Sequence, residues 1–128
     1  MKKELLNTLK NALSALGVFN NVDLYEKVAY NSSDYPVCII KDSEDAIFEI
    51  SSDCWKIESS IEIGILNDDA MEYVDCVNHI LGAIKALPND VYIYQVESIS
   101  KQSEYLESLF LQTTISLKVS YYTQRFSI

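Results

Sequence analysis

The residues best suited to chemistry are Cys76 and His79, which lie three positions apart in the stretch DCVNHILG. On a helix this spacing puts two side chains about one turn apart, so a thiol and an imidazole could form half of a zinc site or a nucleophile with its base. A structural zinc site needs four ligands, and the sequence adds only Cys38 and Cys54 to this pair. A nucleophile on one helix face also has no predicted oxyanion hole beside it. The sequence therefore predicts neither a metal site nor a catalytic cysteine, and it favours a helix-surface or core position for His79.

Carboxylates occur in three clusters, each of which has an ordinary structural explanation. They lie in a predicted turn (Asp42, Glu44, Asp45), at a predicted helix start (Asp68, Asp69, Glu72) and in a connecting segment (Glu104, Glu107). A glycosidase would need two carboxylates held across a cleft with their pKa values pushed apart, and these spacings do not indicate such a pair. Glycine-rich phosphate loops and the G-x-S-x-G motif do not occur in the sequence. The sequence predicts a protein that is not an enzyme and uses no cofactor.

The size and charge of the chain limit its possible partners. The 128 residues are 48% apolar and include few prolines and glycines, so we expect residues 1–128 to form a single domain with its own core. Acidic residues outnumber basic ones by 19 to 10, and phosphate backbones would repel the resulting net charge of −9. The apolar runs are all much shorter than the ~20 residues that span a bilayer. We therefore expect neither nucleic acid nor a membrane as a partner, whereas an acidic surface suits basic patches on other proteins.

The cysteines and the first residues indicate a cellular compartment. The three cysteines are widely spaced and form no C-x-x-C pair, so a reducing cytoplasm fits them better than a secreted disulfide framework. The initial stretch MKKELLNTLKNAL contains polar residues throughout, which is typical of an amphipathic helix and not of a secretory signal. Both features favour an intracellular protein.

The hydrophobic pattern predicts two helices and six strands in the order α-β-β-β-β-α-β-β. Leu5, Leu9 and Leu13 recur at helical spacing, and a second stripe with the same period follows later in the chain. The stretch IESSIEIGIL alternates isoleucine with polar residues, which is typical of a strand with one buried and one wet face. A mixed, mostly antiparallel sheet with two helices packed on it is an α+β fold. The predicted helices span residues 2–16 and 69–87, and the predicted strands span residues 22–28, 36–42, 46–50, 55–66, 90–100 and 110–122.

Tyrosine is the residue type in excess, with nine in the chain. It is common at protein interfaces because it offers contact area together with a polar tip, although half-buried tyrosines also line ordinary sheets. Two pairs of tyrosines fall on the last two predicted strands, and an acidic turn follows an earlier strand. The predicted subunit or partner contacts are Asp42, Glu44, Asp45, Tyr92, Tyr94, Tyr121 and Tyr122.

The whole order of elements carries a family resemblance. A leading amphipathic helix is followed by YPVCIIKD, by the long strand WKIESSIEIGIL, by the acid-capped helix NDDAMEYVDCVNHILGAI and by a closing strand that ends in tyrosine, TTISLKVSYY. Over about residues 2–122 this pattern resembles the tail terminator and minor tail proteins of long-tailed bacteriophages, and the related neck and tail-completion proteins of prophages.

The resemblance implies a structural protein that forms a ring, typically a hexamer, on the end of the phage tail tube. Such a ring ends tube polymerisation and joins the head to the tail, so its partners would be further copies of the chain, the tail-tube protein and the head–tail connector. Its location would be the virion tail, or the host cytoplasm during assembly. Charge and size are equally compatible with a small acidic inhibitor or immunity-type protein that binds a basic nuclease or toxin.

Overall fold

The described residues of the protein form one mixed sheet with two helices. The structure, a computed structural model, describes residues 1–25, 30, 34–68, 72–105 and 109–128. Along the chain the elements are α1 (Lys2–Ser14), β1 (Asn21–Leu24), β2 (Val37–Glu49), β3 (Cys54–Asn67), α2 (Glu72–Ala86), β4 (Ile93–Tyr105) and β5 (Leu109–Gln124). The predicted α+β class is confirmed.

The strands lie side by side in the order β1-β2-β3-β5-β4. β1 runs parallel to β2, and the other neighbouring pairs are antiparallel. β3 and β5 pair without interruption from Cys54 opposite Gln124 to Asn67 opposite Leu111. These two strands form the centre of the sheet, and β1 and β4 form its two edges.

The helices form where the sequence pattern predicts them. In α1, Leu5, Leu9 and Leu13 are at most 1% exposed, because their spacing places them on the face that packs on the sheet. The helix ends at Ser14, and Gly17 then adopts a φ of +69°, a left-handed conformation that suits glycine after a helix end. The predicted start of α2 at residues 69–71 lies outside the described residues.

The covered face of the sheet is the face on which α1 and α2 pack. In β3 the buried side chains are the odd-numbered ones, and Ile57, Ile61, Ile63 and Ile65 are all 0–1% exposed, which confirms the predicted alternation. β5 follows the same rule from Thr113 to Tyr121. The opposite face, here called the open face, carries the even-numbered residues of β3 and β5. One core therefore lies between the helices and the centre of the sheet.

One strand prediction is wrong. Residues 36–42 and 46–50 were expected to form two strands around a turn at 43–45, whereas β2 is a single strand from Val37 to Glu49. The pairing of β2 with β3 continues through this stretch with a bulge between Asp42 and Glu44. In the described ranges the order of elements is consequently α-β-β-β-α-β-β, with three strands and not four between the helices.

Candidate functional site

The Cys76–His79 pair does not form a reactive centre in this structure. The Cys76 side chain is 3% exposed, and its burial, together with Glu72 and Asp75, raises the pKa of its thiol to about 11. The thiol is therefore protonated at neutral pH and is a poor nucleophile. His79 lies on the exposed side of α2, where its Nδ1–H donates to the carbonyl oxygen of Asp75 at 2.7 Å. The imidazole is thus engaged with its own helix.

The other cysteines and the described acidic residues do not assemble a metal site either. Burial raises the pKa of the Cys38 thiol to about 12, with smaller contributions from Cys76 and Asp23, while Cys54 is half-buried. Within the described ranges, no three His, Cys, Asp or Glu side chains come together closely enough to hold a metal ion.

Asp42 and Asp45, two of the predicted contact residues, bind a lysine from the beginning of the chain. The Lys2 ammonium lies 3.1 Å from Asp42 Oδ1 and also donates to Asp45 Oδ1. Ser59 Oγ donates to the same Asp45 oxygen at 2.7 Å. Lys2 is only 7% exposed, so this pairing fastens the start of α1 to the bulge of β2. Glu44, the third residue of the predicted acidic turn, is exposed.

The four predicted contact tyrosines divide between the core and the surface. Tyr121 is 1% exposed, so the contact prediction does not hold for this residue, and its ring packs edge-on against Tyr92 with the centroids 5.5 Å apart. Tyr92 and Tyr94 are half-buried, and the Tyr92 hydroxyl donates to the carbonyl oxygen of Met1 at 2.8 Å. Tyr122 is 58% exposed on the open face. A contact role for the exposed positions stays a prediction.

The exposed apolar face of the edge strand β4 is the largest feature that the sequence did not reveal. From Ile93 to Gln102 every residue except Tyr94 is exposed, including three large apolar side chains. A bulge at Glu97 shifts the pairing between Val96 and Ser98, so Tyr94, Val96 and Ile99 all lie on the covered face although their spacing is not two. A search for strict alternation of apolar and polar residues misses such a face. Apolar residues on both sides of a strand are the signal that could have revealed it.

A groove separates β4 from α2 on the covered face. It has a volume of about 310 Å³, and its walls are polar and apolar in nearly equal parts. Leu81, Ile84, Lys85, Leu87 and Asn89 line one side, and Tyr94 and Val96 line the other. Val96 is 39% exposed and Ile99 is 40% exposed, so the apolar surface is accessible to another molecule.

The open face is polar by contrast. Glu58 on β3 lies 3.5 Å from the Lys56 ammonium and 3.9 Å from that of Lys118 on β5. Lys118 also lies 3.7 Å from Glu97 on β4. These alternating charges neutralise one another across three strands and are partly solvated, which is typical of a surface that faces water.

At the end of the sheet near the β2–β3 connection, aromatic and charged side chains form a small cluster. Phe126 packs edge-on against Trp55 with the centroids 5.1 Å apart, and the Arg125 guanidinium lies 4.8 Å from the Phe126 ring. Arg125 also pairs with Glu49 at 2.9 Å. Phe126 is 77% exposed, so this end of the sheet presents a second apolar surface.

Comparisons with known proteins identify a class of fold. No family model and no curated protein matches the sequence. Among solved structures, the chain is similar over 97% of its length to a protein of Akkermansia muciniphila, with a TM-score of 0.51 and 19% identity. The chain spans about half of that protein, since it covers 52% of it.

A second similar structure has a named role. It is PilO, a type 4 fimbrial biogenesis protein of Pseudomonas aeruginosa, which matches over 93% of this chain and 68% of its own, with a TM-score of 0.50 and 13% identity. Likeness at this level of identity shows a shared fold.

The expected function in a phage tail is wrong. The two similar structures described above are a pilus biogenesis protein and an Akkermansia protein, and not tail terminators. The predictions of a ring on a tail tube and of head–tail joining are therefore wrong. The same applies to the tail-tube protein and the connector as partners. The resemblance had rested on the order of helices and strands. In the part of the chain described by the structure, neither helix is long and apolar enough to cross a membrane.

Proposed function

We propose that this chain is a non-enzymatic protein-binding domain of a pilus-type assembly apparatus. The observation that carries the proposal is the fold shared with PilO over 93% of the chain. The partners proposed are proteins and not nucleic acid, because the net charge of −9 opposes contact with phosphates.

The surface of the domain supports a binding role. Ile93, Val96 and Ile99 are each 39–45% exposed on the edge strand β4. Exposed edge strands with apolar side chains are common sites of contact with other chains. In contrast, the buried thiols of Cys38 and Cys76 have pKa values raised to about 12 and 11, which suits packing and not nucleophilic chemistry.

Site-specific photo-crosslinking in the native cells tests this proposal. A benzophenone amino acid is placed at Gln95, an exposed position of β4, and in a separate strain at Asn7, an exposed position of α1. After irradiation, adducts are identified by mass spectrometry. We expect the Gln95 position to capture components of a pilus-type apparatus and the Asn7 position to capture much less of them.

Two results would contradict the proposal. One is a set of Gln95 adducts that contains no component of a fibre-assembly apparatus. The other is turnover of a small substrate by the purified domain that is lost on a single side-chain replacement.

A further inference from the structure

The end of the sheet near the β2–β3 connection exposes apolar side chains from several elements. β2, β3 and β5 all have one end here. At the end of β2, Ile47, Phe48 and Ile50 are 46–56% exposed, and on β5 Tyr122 is 58% exposed. Phe126, which follows β5, is 77% exposed. These five side chains are called the end patch, and apolar surface gathered in this way marks a contact site.

The area of the end patch suits an interface with a surface like itself. A large apolar side chain offers on the order of 200 Å² when it is fully exposed, so the five side chains together offer roughly 500–600 Å². A specific protein interface needs at least about 500 Å² from each partner. Two end patches that face one another therefore reach the lower limit of a specific interface.

The backbone holds Phe126 in its exposed position. Its φ of +62° lies in the left-handed region, which is uncommon for a bulky residue. The Arg125 amide donates to the carbonyl oxygen of Asp53 at 3.1 Å, and the Ser127 amide donates to that of Gln124 at the same distance. A costly backbone conformation that leaves an aromatic ring in water does little for the core, which motivates a contact role for this ring.

A shallow hollow lies beside Phe126 on the same end of the sheet. It has a volume of about 370 Å³, which is room for one aromatic ring. Its lining is mainly apolar and consists of Met1, Asp53, Cys54, Tyr122, Thr123 and Gln124. Asp53 and Gln124 also lie next to Phe126, so the projecting ring and the hollow are neighbours. A surface that carries both features can pair with a copy of itself about a twofold axis.

The charges at this end are nearly balanced, although the chain as a whole has a net charge of −9. Arg125 pairs with Glu49 at 2.9 Å. Lys56 pairs with Glu58 at 3.5 Å. Two copies of a strongly acidic chain repel one another least where each carries such paired charges.

One carboxylate at this end is available to a second copy. In the described part of the chain, Asp53 takes part in no ion pair with a lysine or arginine side chain. The Arg125 guanidinium uses Nε and one Nη to contact Glu49, which leaves further N–H donors. The twofold contact that inserts Phe126 into the neighbouring hollow also brings Arg125 of each copy towards Asp53 of the other, because both hollow and ring adjoin Asp53.

Two other occupants fit the end patch less well. Glu49 and Asp53 lie beside it and the chain is acidic, which opposes contact with an anionic lipid surface. The hollow has room for a single side chain and is too short for the apolar stripe of a bound helix.

We propose that two copies of this domain associate through their end patches, with Phe126 of each copy inserted into the hollow of the other. Arg125 of each copy would then lie beside Asp53 of the other. The dimer is independent of the proposed pilus-type apparatus. Val96 pairs with Leu117, which is seven residues or about 23 Å from Gln124 along β5, so the exposed face of β4 would remain free in both copies.

Analytical ultracentrifugation of the purified domain tests the dimer. Over about 1–500 µM we expect a monomer–dimer equilibrium with a dissociation constant of roughly 1–100 µM, as suits a small interface. Phe126→Glu should weaken the association at least tenfold, because it replaces the inserted ring with a charge. Ile99→Glu makes the same replacement at a 40% exposed apolar position of β4 and should change the association less than twofold.

A pair of charge variants tests the proposed orientation. Asp53→Arg and Arg125→Asp should each weaken self-association about three- to tenfold, because each places like charges opposite one another. An equimolar mixture of the two variants should associate about as well as the wild type, since every contact in the mixed dimer again joins an arginine to an aspartate. Circular dichroism and melting temperature verify that each variant folds as the wild type does.

Three outcomes would overturn the dimer proposal. They are a chain that stays monomeric up to about 500 µM, equal weakening by Phe126→Glu and Ile99→Glu, and a mixture of the charge variants that associates no better than either variant alone. Failure here leaves the crosslinking result at Gln95 in cells untouched. Conversely, a dimer with no pilus-type adducts would reject the proposed apparatus and keep the dimer.

Discussion

Ile99 and Ile115 are directly opposite one another on β4 and β5, on the same face of the sheet, yet Ile99 is 40% exposed and Ile115 is 0% exposed. The two positions differ in what lies above them, because α2 packs on β5 but leaves β4 at its flank. The same residue type at paired positions of one sheet is therefore exposed on β4 and buried in the core on β5. The part beneath the helices holds the fold together, and the part beyond them is free for contact with another molecule.

Replacing each isoleucine with alanine should give the largest difference in stability between the two positions. We expect Ile115→Ala to lower the free energy of unfolding by about 3 kcal/mol, because it removes buried methyl and methylene groups and leaves a cavity. Ile99→Ala should cost less than about 1 kcal/mol, because the site is open to water. Urea denaturation of both variants measures the difference. Equal losses would mean that β4 is as well covered as β5.

Thiol reactivity gives a second measure of how well the helices close the covered face. At pH 8 a thiol with a pKa of about 11 is roughly a hundredfold less ionised than one at its ordinary value of 9.0, and Cys38 is shifted further than Cys76. We therefore expect iodoacetamide to label Cys54 first, Cys76 roughly a hundredfold more slowly than in the denatured chain, and Cys38 more slowly still. Mass spectrometry of timed samples follows each site. Rapid labelling of Cys76 in the native protein would show that α2 opens readily.

The contact of Lys2 with Asp42 and Asp45 should make a smaller contribution to the free energy of unfolding. Burial lowers the pKa of Lys2, but the hydrogen bonds and charges of Asp45 and Asp42 more than offset this and raise it above 10.5. We expect Lys2→Met to cost about 1–3 kcal/mol at pH 7, since both carboxylates lose their cationic partner and Asp45 keeps only Ser59 as a donor. Lys3→Met, at an exposed neighbouring position, is the control and should change little.

The same contact predicts a pH dependence with a definite sign. A raised pKa means that the folded state holds the Lys2 proton more tightly, so the stabilisation is complete below about pH 10.5 and is lost as pH rises through the raised value. The stability difference between the wild type and Lys2→Met should therefore shrink above pH 10.5. Tyrosine ionisation affects both proteins in this range, so the informative quantity is their difference. A stability difference between the two proteins that increases above pH 10.5 would contradict this account.

Local patterns predicted most of the fold. The spacing of Leu5, Leu9 and Leu13 predicted α1, and the alternating isoleucines predicted β3, because one element with one buried face determines each pattern. The wrong element was the turn expected at residues 43–45. Acidic residues favour turns, but here Asp42 and Asp45 are held in a strand by an ammonium group about forty positions earlier in the chain. Such a long-range contact leaves no local signal.

The candidate site was less predictable than the fold. The groove depends on where the flank of α2 ends relative to the edge strand β4. That position is a property of packing and not of either segment alone. The bulge at Glu97 also moves Ile99 to the covered face, so that the apolar spacing on β4 no longer has a period of two. The functional interpretation went wrong for a related reason, because one order of elements serves several kinds of assembly.

The Lys2 amide donates to the carbonyl oxygen of Ile128 at 2.7 Å, so the first turn of α1 and the segment after β5 meet at one corner of the domain. A force that pulls these two positions apart would break this hydrogen bond first. It would then load α1 at one position and the C-terminal end of β5 at the other, so the packing of α1 on the sheet and the pairing of β3 with β5 at Gln124 would bear it together.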